Sequence, residues 1–310
     1  LYSYATFSVM TAPSSEFKIP ISTPLGVLNA WAVTYGNPSD PRILLIQGGP
    51  GTTHDYLIST AQSLALQGFS VTMYGPVGTD YSDKAVNYDF CDLDWYINEL
   101  NQVVDYLRTT SPQINLIGHS WGGYLSIEYV LRYPNKISQL IISNAVSSMA
   151  EYNRYCAEVI VPSYPSDKWN VVNSIIESKN FADPKFNELI WEIHYPVHVY
   201  RHPVAEWPES VMRTFTTPNL EMYLPACGPI PIQIVGWLAD WNRTDDIHNI
   251  EIPSLFISSE YDTNTPEHIK WMASQAHNGH YFHCPNSGHF AHLDDKLLWE
   301  DSVTKFLNSI

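Results

Sequence analysis

Residues 114–132 confine this chain to a narrow set of folds. The apolar run Ile114 to Ile117 reads as a buried strand, Gly118-His119-Ser120-Trp121-Gly122 as a sharp turn of the pattern G-x-S-x-G, and Tyr124 to Arg132 as a helix. The two glycines have a mechanical role. Such a turn holds its serine in strained backbone geometry, and a side chain two residues to either side would collide with neighbouring backbone. Ser120 would then stand exposed at the end of a strand. The same five-residue pattern also occurs as an ordinary glycine-rich turn, so its meaning depends on what surrounds it.

Short β-type apolar runs alternate with helical patterns in two regions, Ile43 to Asn144 and Ile252 to Ile310, the signature of parallel α/β units. In the first, Ile43 to Ile46, Ser70 to Tyr74 and Leu140 to Ile142 read as strands, with a helix over Tyr56 to Leu66. In the second, Ser254 to Ile257 and Tyr281 to His283 read as strands, with helices over His268 to Gln275 and Leu297 to Leu307. Between the regions, the stretch from Ser147 to Ile247 is rich in Trp, Tyr and Pro and lacks this alternation. An aromatic insertion between two halves of one sheet is expected to form a mainly helical cap over a ligand site. The expected organisation is a core in two parts, residues 1–146 and 248–310, with the cap over 147–247.

Composition narrows the partners. The chain has 32 acidic and 16 basic residues in 310, a formal charge of −16, which argues against nucleic acid and anionic membranes as partners. No apolar run approaches the ~18 residues of a membrane span. Cys91, Cys156, Cys227 and Cys284 are scattered without a short-spaced framework, so free thiols and an intracellular, cytoplasmic setting are expected. The chain begins with Leu1 and shows no basic segment followed by an apolar one. The sequon Asn242-Arg243-Thr244 matters only in a secreted protein. His194, His198 and His202 recur every four residues, but Pro196 and Pro203 break the helix that would align them as metal ligands. No metal or cofactor is expected.

A serine hydroxyl needs a base within hydrogen-bond reach and a third group to orient that base. The α/β-hydrolases order these groups Ser, then Asp or Glu, then His. Asp262 follows the strand Ser254 to Ile257 through the turn Ser258-Ser259-Glu260-Tyr261, and His289 lies between the strand ending near Cys284 and the last helix. Glu260, His280, His283 and His292 compete for these roles. His283 should lie in a strand and His292 at the start of a helix, so structural or solvent-facing roles are expected there, and Asp294 and Asp295 should cap that helix. Gln47-Gly48-Gly49-Pro50-Gly51, after the first buried strand, can supply oxyanion donors: the backbone N–H groups of Gly49 and of Trp121.

These motifs resemble the prolyl aminopeptidase (proline iminopeptidase) family of α/β-hydrolases over nearly the whole chain. Gly48-Gly49-Pro50-Gly51 resembles its HGGPG motif and Gly118 to Gly123 its G-x-S-x-G-G turn. His198-Val199-Tyr200-Arg201 with Trp207-Pro208-Glu209 resembles its H-L-x-R and W-P-E segments. Gly228-Pro229, Gly236 and Asp240-Trp241 track its G-P-x-E-F…G…D-W stretch, and Glu260-Tyr261-Asp262 its G-E-Y-D. The resemblance implies an α/β-hydrolase fold, a mostly parallel sheet with helices on both faces, and Ser120, Asp262 and His289 as the triad. It also implies two glutamates for the substrate's free amino group, one in the cap's G-P-x-E and one after the catalytic aspartate. Here those positions hold Pro231 and Thr263, with Glu209 and Glu221 as conceivable substitutes. The family's D-Q-x-G-x-G-x-S loop is represented by Gly75 to Ser82, and the motif's leading histidine is Gln47.

The expected protein is therefore a serine hydrolase acting on an ester, lactone or amide bond of a small, fairly apolar molecule, with Gln47, Gly48, Pro231 and Thr263 near the substrate. Three alternatives remain at this level: a lyase, isomerase or cyclase that uses His289 as general base, an aminopeptidase or amidase with another amine anchor, and a catalytically silent binding protein. Oligomeric state is not legible.

Overall fold

The computed structural model describes residues 11–79 and 81–309; Leu1, Asp80 of the Gly75 to Ser82 loop, and Ile310 lie outside them. Among the described residues eight strands form one sheet: β1 (Ser15–Thr23), β2 (Gly26–Tyr35), β3 (Arg42–Ile46), β4 (Ser70–Gly75), β5 (Ile114–His119), β6 (Gln139–Ser143), β7 (Ser254–Ser259) and β8 (Gly279–Cys284). Their spatial order is β1-β2-β4-β3-β5-β6-β7-β8. From β4 to β8 neighbouring strands are parallel. The pairs β1–β2 and β2–β4 are antiparallel.

Alternate side chains of the central strands enter two separate cores. Ile43 and Leu45 of β3 point to one face, with Ile117, Ile141 and Ile257; Leu44 and Ile46 point to the other, with Leu116, Ile142 and Phe256. A strand buried on both faces must be apolar at every position, which is why these segments read as continuous runs. The helices Ile58–Leu66 and Lys296–Leu307 cover the first face. Leu93–Arg108, Trp121–Arg132 and Pro266–Gln275 cover the second.

Three elements depart from the sequence expectation. The hairpin β1–β2 lies at the sheet edge, and its outer strand β1 alternates the buried Ile19 and Ile21 with exposed positions, so that strand offers no apolar run. The helix Leu93–Arg108, capped by the Asp92 carboxylate accepting from Trp95 N at 2.9 Å, was also not anticipated. Ser258 and Ser259 continue β7 instead of turning, because they pair with His283 and Cys284 of β8.

The chain passes from β3 to β4 on one side and then crosses back to β5 on the other, and a cavity lies at the carboxyl ends of β3 and β5, where the strand order reverses. Between β6 and β7 the chain forms short helices, the longest being Ser166–Ser178 and Pro184–Ile193, with π-helical turns at Cys156–Ile160 and Tyr195–Val199. Proline accounts for part of this irregularity: Pro196 sits in the second π turn and Pro225 inside Leu220–Cys227.

The start of helix Trp121–Arg132 packs directly on backbone. A Cβ at Gly122 would lie 2.4 Å from the Ile46 carbonyl oxygen and 2.7 Å from that of Gln47. Gly122→Ala is therefore expected to destabilise the fold by about 3 kcal/mol, read as a lower midpoint in urea or thermal unfolding. An unchanged midpoint would mean that the helix can move away from β3 at little cost.

Candidate active site

Ser120 occupies φ 56°, ψ −123°, a conformation that costs a side-chain-bearing residue roughly 1–3 kcal/mol. Backbone hydrogen bonds hold it there. Its N–H donates to the Ser143 carbonyl at 3.0 Å, and its carbonyl accepts from Gly123 N at 2.8 Å and Tyr124 N at 3.2 Å. Gly48 crosses so close that a Cβ there would lie 2.9 Å from Ser120 Cβ.

Asp262 is fully buried, and its Oδ1 lies 2.8 Å from His289 Nδ1. Its Oδ2 accepts from Asn144 Nδ2 at 2.9 Å. Burial pushes this carboxyl's pKa up, but the attraction of His289, its hydrogen bond and that of Asn144 outweigh burial, and the net shift is downward. An ionised Asp262 accepts the Nδ1 proton, which leaves Nε2 of His289 with the lone pair a base requires. Ser120 and His289 line one cavity. Ser120 Oγ has no hydrogen-bond partner among the described residues; such bonds commonly tighten only when substrate binds.

The loop carrying His289 is fastened from two directions. Asp294 and Asp295 do not cap the last helix with their side chains, contrary to expectation. They turn back to the loop instead. Asp294 accepts from Gly288 N at 2.9 Å and Arg201 N at 3.0 Å, and Asp295 from Asn286 N and Ser287 Oγ, both at 2.8 Å. From the other side, His289 N donates to the His198 carbonyl and Phe290 N to that of Val199, each at 2.8 Å. His198 Nδ1 donates to the Tyr261 carbonyl at 2.7 Å, and the Arg201 guanidinium lies 3.4 Å above the Tyr261 ring.

The proposed oxyanion donors are available. Neither Gly49 N–H nor Trp121 N–H donates to an acceptor among the described residues, and both residues line the cavity. Gly49 has φ +56°, where a side chain is disfavoured. Gly48, Pro231 and Thr263 also line the cavity. Gln47 is buried outside that lining, and its side-chain carbonyl has no partner there.

The cavity has a volume of about 270 Å³ and an aromatic wall that includes Trp121, Tyr195, Phe215, Tyr223 and Phe290. No Asp, Glu, Lys or Arg is among its described lining residues. Glu209 and Glu221 are exposed and lie outside it. His194 lines it with a pKa lowered to about 3, by burial first and then by His198 and His289, so it is neutral. His194 and His198 stack at 5.6 Å between ring centroids, and His202 is exposed. Among the competing histidines, His283 is satisfied by Ser258 Oγ at 2.9 Å and Glu260 at 3.2 Å. His292 departs from expectation: it is 1% exposed, and neither ring nitrogen has a hydrogen-bond partner among the described residues.

Sequence reasoning missed Asn144 and Tyr56, and it singled out His194 only as part of a metal-ligand spacing, not as a wall of the cavity. Asn144 was visible only as the residue after β6, where a φ of 58° suits Asn better than most side chains. Nothing local marks Tyr56.

A sheet of this order with a serine on the turn after β5 defines the class, and residues 41–187 match the alpha/beta hydrolase fold family. The proline iminopeptidase of Chitinophaga pinensis is 34% identical over 292 residues, 94% of this chain and 98% of its own length. That of Flavobacterium johnsoniae is 31% identical over 292 residues, again 94% and 98%. The crystal structure of the Mycobacterium smegmatis proline iminopeptidase matches with a TM-score of 0.81 and 23% identity, covering 95% of this chain and 98% of that one, a likeness of fold. The chain belongs to the proline iminopeptidase-like family of α/β-hydrolases, and it is a serine hydrolase.

Asp294 has a side chain 3% exposed and serves two backbone donors across the seam between insertion and His289 loop. Asp294→Ala leaves both without an acceptor and is expected to lower stability by about 2–3 kcal/mol, measured by scanning calorimetry. An unaltered unfolding midpoint would show that water replaces the carboxylate.

Proposed function

We propose that this enzyme cleaves an ester, lactone or amide bond in a small, neutral, fairly apolar molecule through an acyl-enzyme. Ser120 Oγ attacks the carbonyl carbon while His289 Nε2 takes its proton. Asp262 holds the imidazole and stabilises its charge, and the Gly49 and Trp121 N–H groups receive the oxyanion. His289 then returns the proton to the leaving group, and water repeats the sequence to free the acid. In this reading residues 147–247 act as a cap over a core of 1–146 and 248–310, and its aromatic wall selects the substrate. Four free, buried thiols fit a reducing, cytoplasmic setting.

The absence of ionised side chains from the described cavity lining carries this choice of substrate. An ammonium group moved from water into a closed pocket without a counter-charge loses several kcal/mol. Pro231 and Thr263, which stand where the resemblance implies amine-binding carboxylates, both line the cavity and supply no charge.

A fluorophosphonate should label Ser120, and Ser120→Ala should lose roughly 10³-fold or more of the hydrolysis of neutral nitrophenyl esters. Across nitrophenyl esters, lactones, N-acyl amides and amino-acid amides, kcat/KM should favour neutral substrates over free amines by roughly 10–100-fold. Equal or better turnover of amino-acid amides would reject the neutral-substrate reading. Turnover retained in Ser120→Ala but lost in His289→Ala would replace acyl transfer with proton-abstraction chemistry.

A further inference from the structure

We propose that Tyr56 and His119 form a positioning relay that holds the oxyanion loop, the nucleophile turn and the loop of the general base in one register. The inference rests on the roles of Ser120, His289 and Gly49 proposed above. Three short hydrogen bonds make the relay: Gly48 N to Tyr56 Oη at 2.7 Å, Tyr56 Oη to His119 Nδ1 at 2.6 Å, and His119 Nε2 to the His289 carbonyl oxygen at 2.8 Å.

Every donor in this chain is forced. The His289 carbonyl can only accept, so His119 Nε2 carries a proton and donates it. In a neutral imidazole Nδ1 then holds a lone pair, so the Tyr56 hydroxyl must donate to it. The hydroxyl oxygen is left free to accept from Gly48 N–H. Burial, with His289 nearby, lowers the pKa of His119 to about 3, which keeps the ring neutral as the chain requires.

The three ends of the relay lie beside the three functional groups. Gly48 precedes Gly49, His119 precedes Ser120, and the last acceptor is the backbone of His289 itself. Strand pairing fixes the first two loops against each other, since β3 and β5 are neighbours. It does not fix the third: β8 lies three places away from β5, so its loop must reach back across the sheet end. The relay closes that gap. Its members are themselves confined, with the Tyr56 ring stacked on Phe290 at 4.7 Å and 17° and set edge-on to His119 at 5.4 Å. A misplacement of about 1 Å in such a site costs on the order of 100-fold in rate, so the relay governs turnover more than binding.

Tyr56→Phe keeps the stacked ring and removes only the hydroxyl. His119→Gln keeps an N–H donor near the position of Nε2 and loses the Nδ1 acceptor. Steady-state kinetics on a neutral nitrophenyl ester, with thermal midpoints for each variant, test the proposal. Tyr56→Phe should lower kcat roughly 10–100-fold with KM within about twofold, and should lower the midpoint while leaving the protein folded at the assay temperature, because Gly48 N–H and His119 Nδ1 lose a buried partner. The double variant should be little worse than Tyr56→Phe alone, because both interrupt the same link. The relay is rejected if Tyr56→Phe keeps wild-type kcat while Ser120→Ala is inactive, or if the two losses multiply. Wild-type activity in Ser120→Ala would instead remove the reading on which the relay rests. If His119→Gln folds poorly, the kcat of Tyr56→Phe decides the matter alone.

Discussion

Gly122 lies so close to the end of β3 that an added Cβ would come within 2.4 Å of the Ile46 carbonyl oxygen, while a Cβ on Gly118 would come within 2.2 Å of Gly122's own carbonyl. This backbone-on-backbone approach brings the helix after β5 down onto the neighbouring strand. The turn between them is left with no room to relax, and Ser120 is held at positive φ. A conformation costing roughly 1–3 kcal/mol persists only where its surroundings over-determine it. Here the surroundings are the Ser143 carbonyl on one side and the N–H donors of Gly123 and Tyr124 on the other. The same approach sets the loop after β3 over the serine, where a Cβ added to Gly48 would come within 2.9 Å of the serine Cβ. The serine turn and the loop after β3 are thus two consequences of one packing contact.

The loop of His289 has no such support from strand pairing, and alongside His119 the segment between β6 and β7 supplies it. The segments whose likeness to family motifs had no evident purpose in sequence acquire one in space. His198 offers its carbonyl to His289 N and its ring to the Tyr261 carbonyl, while Arg201 lies over the Tyr261 ring and donates its N–H to Asp294. Asp262 and His289 are therefore gripped by the same stretch of the insertion, through the residue before one and the residue beside the other. A second seam works on the helix that follows Ser120: Glu128, itself buried, accepts from Trp241 Nε1 at 2.7 Å and pairs with the partly exposed Arg243 guanidinium. The insertion is as much a clamp on the core's loops as a wall of the cavity.

Electrostatics follow the same division. The carboxylate of the site, Asp262, is spent on His289 and Asn144 and is completely buried, while the described cavity lining holds no ionised side chain. His119 and His194, both buried and both lowered to about 3, stay neutral and add no field of their own. In such surroundings the unpaired N–H dipoles of Gly49 and Trp121 act with little competition from other charges. The described lining offers no carboxylate that could serve as counter-charge to an ammonium ion.

The central strands and the strained serine turn were legible because each is announced by its own neighbours. A doubly buried strand must be apolar throughout, as Ile43 to Ile46 are, and a strained turn must carry glycines, as Gly118 and Gly122 show. The edge hairpin was not legible by that rule, since Ile19 and Ile21 alternate with solvent-facing residues. Asp294 and Asp295 were misassigned for a related reason: two acids before a helix look like caps, and only the tertiary path of residues 286–288 reveals their better-placed donors. Tyr56 marks the limit of sequence reading more sharply. Its partners lie 8 residues before it and 63 after it, and the chain continues to a carbonyl 170 residues beyond His119. Hydrophobic periodicity reports whether a side chain is buried. It carries no information on which polar group a buried hydroxyl meets, and here that meeting joins three loops from three strands.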